Sequence, residues 1–244
     1  MDWTWFHKLA SPPYAYAFAK RLRPWLLWPA IALMLYAAYD GLFVVPLDYQ
    51  QRDAYRILFV HVPAATMSTV IYSAMAIAAA IGTVWRMKLA HAVSAACALP
   101  GAAFTVLTLV TGSLWGGPMW GAYWVWDPRL TSELILLFLY LGYMALRASF
   151  EDIARADRAS AVLAIVGIVD IPIIKYSVVW WNSLHQGPSL SLFRQSAIDA
   201  SMIMPLLVMM LAYFLFFGAV LCDGLRAEIL RRERNARWLL ELAH

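Results

Sequence analysis

The stretch 200-ASMIMPLLVMMLAYFLFFGAVLC-222 carries no charged residue, and its apolar side chains follow neither a helical stripe nor a strand alternation. A segment apolar all round for about 20 residues has the length and character of a membrane-spanning helix. Five further runs of the same kind precede it: Trp25–Val45, Pro63–Trp85, Ala92–Ser113, Leu130–Leu146 and Ala161–Trp181. Asp40 lies near the end of the first span, Glu133 near the start of the fourth, and Asp170 and Lys175 within the fifth. The whole chain agrees: 63% of its 244 residues are hydrophobic and 14% are charged, where a soluble domain carries about a quarter charged residues. The runs are too long and too uniformly apolar for barrel strands, and helices satisfy their own backbone groups in lipid. The expected architecture is all-α, a polytopic bundle of six transmembrane helices.

The distribution of basic residues orients this bundle. With the N-terminus in the cytoplasm, the inner segments hold Lys8, Lys20, Arg21, Arg23, Arg86, Lys88, Arg147, Arg155, Arg158, Arg226, Arg231, Arg232, Arg234 and Arg237. The outer segments hold only Arg52, Arg56, Arg129 and Arg194. By the positive-inside rule both termini are expected inside. The chain reads as one membrane domain over residues 1–244, with an interfacial N-terminus (1–24), the bundle (25–222) and a basic cytoplasmic tail (223–244). Trp3, Trp5 and Phe6 suit a segment dipping into the inner lipid surface. No cleavable signal peptide is expected, since no short apolar core with a small-residue cleavage site opens the chain. The net charge of +4 follows from the inside excess and calls for no nucleic acid. Cys97 and Cys222 form no CxxC or CxxCH motif, so neither thiol redox chemistry nor covalent haem attachment to this chain is indicated.

Three outer loops, about 46–62, 114–129 and 182–199, collect the residues with chemical potential. The first ends in RILFVHVPAA (56–65), which places His61 just before a second span expected to start near Val62. The third contains WWNSLHQGPSLS (180–191), where His185 precedes the Gly187-Pro188 turn. Between them lies 115-WGGPMWGAYWVWD-127. Tryptophan and tyrosine commonly form belts at bilayer surfaces, and Trp25, Trp28, Trp85, Trp180 and Trp181 suit that role. A belt does not need glycines between its aromatics. Trp115, Trp120, Tyr123, Trp124 and Trp126, spaced by Gly116, Gly117 and Gly121, suggest a shaped platform for a flat apolar ligand. Asp127 before Pro128 reads equally as the N-cap of the fourth span. Two imidazoles on one face can take an iron from opposite sides, and Arg56 and Arg129 can pair with carboxylates. Iron, a planar ring and carboxylates together describe haem. His7, His91 and His244 fall on the other side and receive no role. Asp170 and Lys175 are costly within a span, with either a structural pairing or a part in haem passage open to them.

The stretch 112-GSLWGGPMWGAYWVWDPRLTSELILLFLY-140, with RILFVHVPAA and SVVWWNSLHQGPS (177–189), resembles the tryptophan-rich (WWD) haem-handling proteins of cytochrome c biogenesis, and the CcmC family among them. The resemblance covers nearly the whole chain. It implies a bacterial inner-membrane protein whose outer loop holds haem b at the periplasmic face, with His61 and His185 as axial ligands. It also implies delivery of haem to the chaperone CcmE, and a complex with the small protein CcmD and the ABC transporter subunits CcmA and CcmB. This chain has neither a catalytic triad nor an ATP-binding motif, which suits a transfer role. Rival readings are a membrane b-type electron-transfer subunit, whose histidines belong deep within helices, and a transporter scaffold that binds no haem.

Overall fold

The computed structural model of the protein describes residues 11–181, 183–185 and 198–241. Trp3, Trp5, Phe6, His7, Arg194, His244 and the Gly187-Pro188 turn lie outside the described residues. Among those described, six helical segments are long and apolar enough to cross a membrane. The helices are α1 (Pro12–Tyr39), α2 (Leu58–Val84), α3 (Lys88–Trp120), α4 (Pro128–Ala148), α5 (Ile153–Gly167), α6 (Asp170–Trp180), α7 (Ala200–Arg232) and α8 (Arg237–Glu241). A π-helical turn, Asp40–Val44, extends α1, and a 3₁₀ turn, Asp53–Ile57, leads into α2.

Several boundaries depart from the hydropathy reading. The first and last spans continue as helix beyond their apolar runs, from Pro12 and to Arg232, because a charged turn outside lipid keeps its backbone bonds. The second begins at Leu58, so Pro63 lies inside the helix and His61 is a helical residue of its first turns. The expected loop 114–129 is half helix: α3 runs to Trp120 and ends at Gly121, whose φ of 76° forms a left-handed cap with its N–H on Gly117 O.

The fifth span is broken. Between α5 and α6 the ladder tightens, with Ile168 N–H on Ile165 O and Val169 N–H on Val166 O. Pro172 supplies no N–H in the first turn of α6. A Cβ on Gly167 would collide with the Tyr72 phenol packed against it.

Helices α2 and α3 form the centre. They pack along each other, α2 also on α5 and α7, and α3 also on α4 and α7, while α1 lies along α7. In lipid, burial of apolar side chains supplies little drive for helix association, so small residues and interhelical hydrogen bonds matter more. Ala30, Ala37 and Ala219 are fully buried in this way. Tyr72 and Tyr140 meet edge to face at 5.1 Å in the core. Tyr140 donates to Ser68 O at 2.8 Å, and Tyr143 and Ser94 share a hydroxyl hydrogen bond of 2.9 Å. Such bonds average about 0.6 kcal/mol in membranes.

One end of the bundle is tied by ion pairs: Asp157 accepts from Arg147 at 2.6 Å and from Arg232 at 2.8 Å, and Glu228 accepts from Arg232 at 3.1 Å. These side chains are largely buried and joined in one network, so removing one partner would leave a buried charge uncompensated. The other end carries the tryptophan-rich segment.

Candidate functional site

At the tryptophan-rich end, a cavity of about 520 Å³ opens between α2, α3, α6 and α7. That lies in the usual range for a ligand pocket. His61 and His185 both line it, together with Trp115, Gly116, Trp120 and Arg129. Residues 124 apart in sequence therefore share one chamber. Beneath it a recess of about 30 Å³ is bounded by His61, Thr108, Arg129, Glu133 and His185.

Each imidazole is held by its Nδ1. His61 Nδ1 lies 3.0 Å from Thr111 Oγ1, and that hydroxyl donates its own proton to Leu107 O at 2.6 Å. The hydroxyl oxygen is thus left to accept from Nδ1–H. Gly112 makes this approach possible, since a Cβ there would sit 3.0 Å from His61 Cε1. His185 Nδ1 donates to Asp127 Oδ1 at 3.1 Å, a carboxylate that can only accept when ionised. In both histidines Nε2 is then the unprotonated nitrogen, the form that binds a metal. Burial pushes His185 below the usual histidine pKa, against the opposing pull of Asp127. Its contact with Asp127 is therefore a hydrogen bond from a neutral ring at neutral pH.

Asp127 is the organising residue of this end. It caps α4 through Arg129 N–H at 2.9 Å, and its other oxygen accepts from Ser183 Oγ at 2.7 Å and Leu184 N–H at 2.9 Å. Burial alone would raise its pKa, but these donors hold the carboxyl below the usual range. The cap reading and the aromatic-motif reading of Asp127 thus meet in one side chain.

The aromatics divide into two groups. Trp115 sits edge to face on His61 with centroids 5.7 Å apart, and Trp120 does the same on His185 at 4.8 Å. Trp115 is fixed in turn by donating Nε1–H to Gln51 Oε1 at 3.0 Å. These indoles brace the histidines as well as lining the cavity. Trp124 and Trp126 instead pair with each other at 5.4 Å, and neither they nor Tyr123 line the cavity. Gly116 lines the cavity and leaves room for Ala122 O and the Trp120 ring, while Gly117 makes room for the Tyr123 ring, so both let the chain fold back on α3.

Arg129 faces the cavity and makes no side-chain hydrogen bond or ion pair with any described residue. Arg56 is placed elsewhere: it donates to Gly41 O at 2.8 Å and to Asp53 Oδ1 at 3.1 Å, and does not line the cavity. Among the described residues no group of three or more His, Cys, Asp and Glu is arranged to hold a metal ion. Two imidazoles suit an iron that brings its remaining ligands with it.

Residues 5–240 match the family model CcmC, heme exporter protein C. The chain belongs to the CcmC family. It is 46% identical over 240 residues to heme exporter protein C of Escherichia coli (strain K12), covering 98% of this chain and 97% of that one. The protein of the same name from Haemophilus influenzae is 41% identical over 241 residues, 99% of this chain and 98% of its own. A putative cytochrome c biosynthesis ccmC-like mitochondrial protein of Marchantia polymorpha is 46% identical over 182 residues, 75% of this chain and 77% of its own. This CcmC-family chain is a multi-pass membrane protein. Its motifs singled out the two histidines, the tryptophans and Asp127. They missed Gln51, Thr111, Gly112 and Ser183, whose roles appear only when distant segments meet.

Proposed function

We propose that this protein takes part in haem export for cytochrome c maturation, binding haem in the cavity between His61 and His185. The carrying observation is the pairing of two imidazoles, each engaged through Nδ1, on one cavity that also presents the Arg129 guanidinium, which pairs with no described residue. Iron would be taken by the two Nε2 atoms, and a haem carboxylate by Arg129. Trp115 and Trp120 keep the rings aimed, while Gly112, Thr111 and Asp127 fix how far each can move. The ligand-bearing residues lie near the end of the bundle, His61 on the fourth residue of α2 and His185 beyond α6. That position favours a site that surrenders its haem over a buried electron-transfer haem.

The excess of lysine and arginine at the opposite end supports an orientation with both termini in the cytoplasm and the cavity at the periplasmic face of the bacterial inner membrane. There haem would pass to the chaperone CcmE, with CcmD, CcmA and CcmB completing the complex. Tyr123, Trp124 and Trp126 lie outside the cavity, and the exposed Tyr123 and Trp126 would be available to meet CcmE. Haem b is cargo here, and no bond within it is made or broken by this chain.

The test is haem absorption of the purified protein and its His61→Ala and His185→Ala variants. A six-coordinate bis-histidine spectrum in the parent, lost in each variant, is expected. The same spectrum in both variants would remove these residues as ligands.

A further inference from the structure

Lys175 is the charged residue of the cavity that the site as described does not use. It lies on α6, six residues before the C-cap Trp181, which is about 9 Å along a helix axis. An ionisable side chain within a membrane span is costly and is kept for a task. Asp170, the other charge in this span, is buried along with Ile174 and Ser177 of α6. It forms no ion pair with Lys175, which makes no hydrogen bond or ion pair with any described residue. The aromatic neighbour of its ammonium is the Tyr176 ring at 6.0 Å.

Lys175 lines the same cavity as Arg129, His61 and His185. Among the described lining residues there is no aspartate or glutamate. Among these residues the chamber therefore presents a guanidinium and an ammonium from two different helices and no carboxylate, Glu133 bounding only the recess beneath it. Such a chamber selects a dianionic ligand, or one with two separate carboxylates. Haem has two carboxylates on neighbouring positions of one edge. An arginine grips one through a planar fork, while a lysine offers a mobile point charge that follows the other.

We propose that Lys175 is the second carboxylate-binding residue of this cavity, meeting one haem carboxylate while Arg129 meets the other. This rests on the reading of the cavity as a haem site. It assigns Lys175 to cargo selection, distinguishing a free diacid porphyrin from an esterified or neutral one.

The experiment titrates the full-length purified protein with ferric haem and, separately, with its dimethyl ester, following the Soret band. The parent should prefer haem over the ester. Lys175→Met should weaken haem about tenfold, the scale of one lost hydrogen bond to a charged group, and leave the ester's affinity unchanged. Lys175→Arg should restore the preference. An unchanged haem-to-ester ratio in Lys175→Met, or equal weakening of both ligands, overturns the assignment of Lys175 while the haem site stands. Failure of the parent to bind either ligand overturns the haem-site reading itself.

Discussion

Asp127 offers a perturbation whose parts can be separated. Its carboxylate accepts from Arg129 N–H at 2.9 Å, His185 Nδ1 at 3.1 Å, Ser183 Oγ at 2.7 Å and Leu184 N–H at 2.9 Å. The side chain is 3% exposed, so water does not replace these partners freely. Asp127→Ala removes the α4 cap, at about 1 kcal/mol, and the brace on His185. Loss of such a brace behind a metal-binding histidine lowers metal affinity about 10- to 100-fold, or about 1.4–2.7 kcal/mol. Asp127→Ser keeps an oxygen for Arg129 N–H but is too short to hold His185, Ser183 and Leu184. Haem titration and thermal unfolding by circular dichroism, run on the same preparations, read the two effects apart. The alanine variant should lose both stability and haem affinity, and the serine variant mainly haem affinity. Unaltered haem affinity in both variants would refute the claim that Asp127 aims His185.

Gly112→Val should displace His61 from α3, because even a Cβ would stand 3.0 Å from the ring; a shift of the haem spectrum towards five-coordinate iron would report it. Thr111→Val removes the acceptor of His61 Nδ1 and should weaken haem less than His61→Ala does, as read by the same titration. Trp115→Ala and Trp120→Ala should each weaken haem binding, whereas Trp124→Ala and Trp126→Ala should leave it within about twofold and slow transfer to CcmE, measured as haem appearing on the chaperone. Gly101→Ala places a Cβ into the Tyr140 ring and should destabilise the core by about 1–3 kcal/mol, seen as a lower unfolding temperature.

How far the sequence revealed this protein follows from what each signal measures. Hydropathy found the spans because apolar length is a local property, and it misjudged their ends because helices continue where lipid stops. It read Ala161–Trp181 as continuous, although Gly167 against Tyr72 and Pro172 in the next turn break that helix. The histidines and tryptophans stood out by residue type in three motifs. Their partners did not, because Thr111, Gly112 and Ser183 are ordinary residues until α3 and the segment after α6 are brought beside His61 and Asp127. Arg56 and Arg129 looked alike as outer arginines. Only their surroundings separate them, one satisfied by Gly41 O and Asp53, the other open to the cavity. Lys175 was visible as a costly charge, but its place in the cavity depends on how α6 lies after the break.

The most direct measurement is a cryo-electron-microscopy map of the haem-loaded protein. Planar density is expected in the cavity, with iron within bonding distance of Nε2 of both His61 and His185 and the carboxylate edge towards Arg129 and Lys175. Haem bound elsewhere on the chain, or in the cavity with neither histidine on the iron, would contradict it.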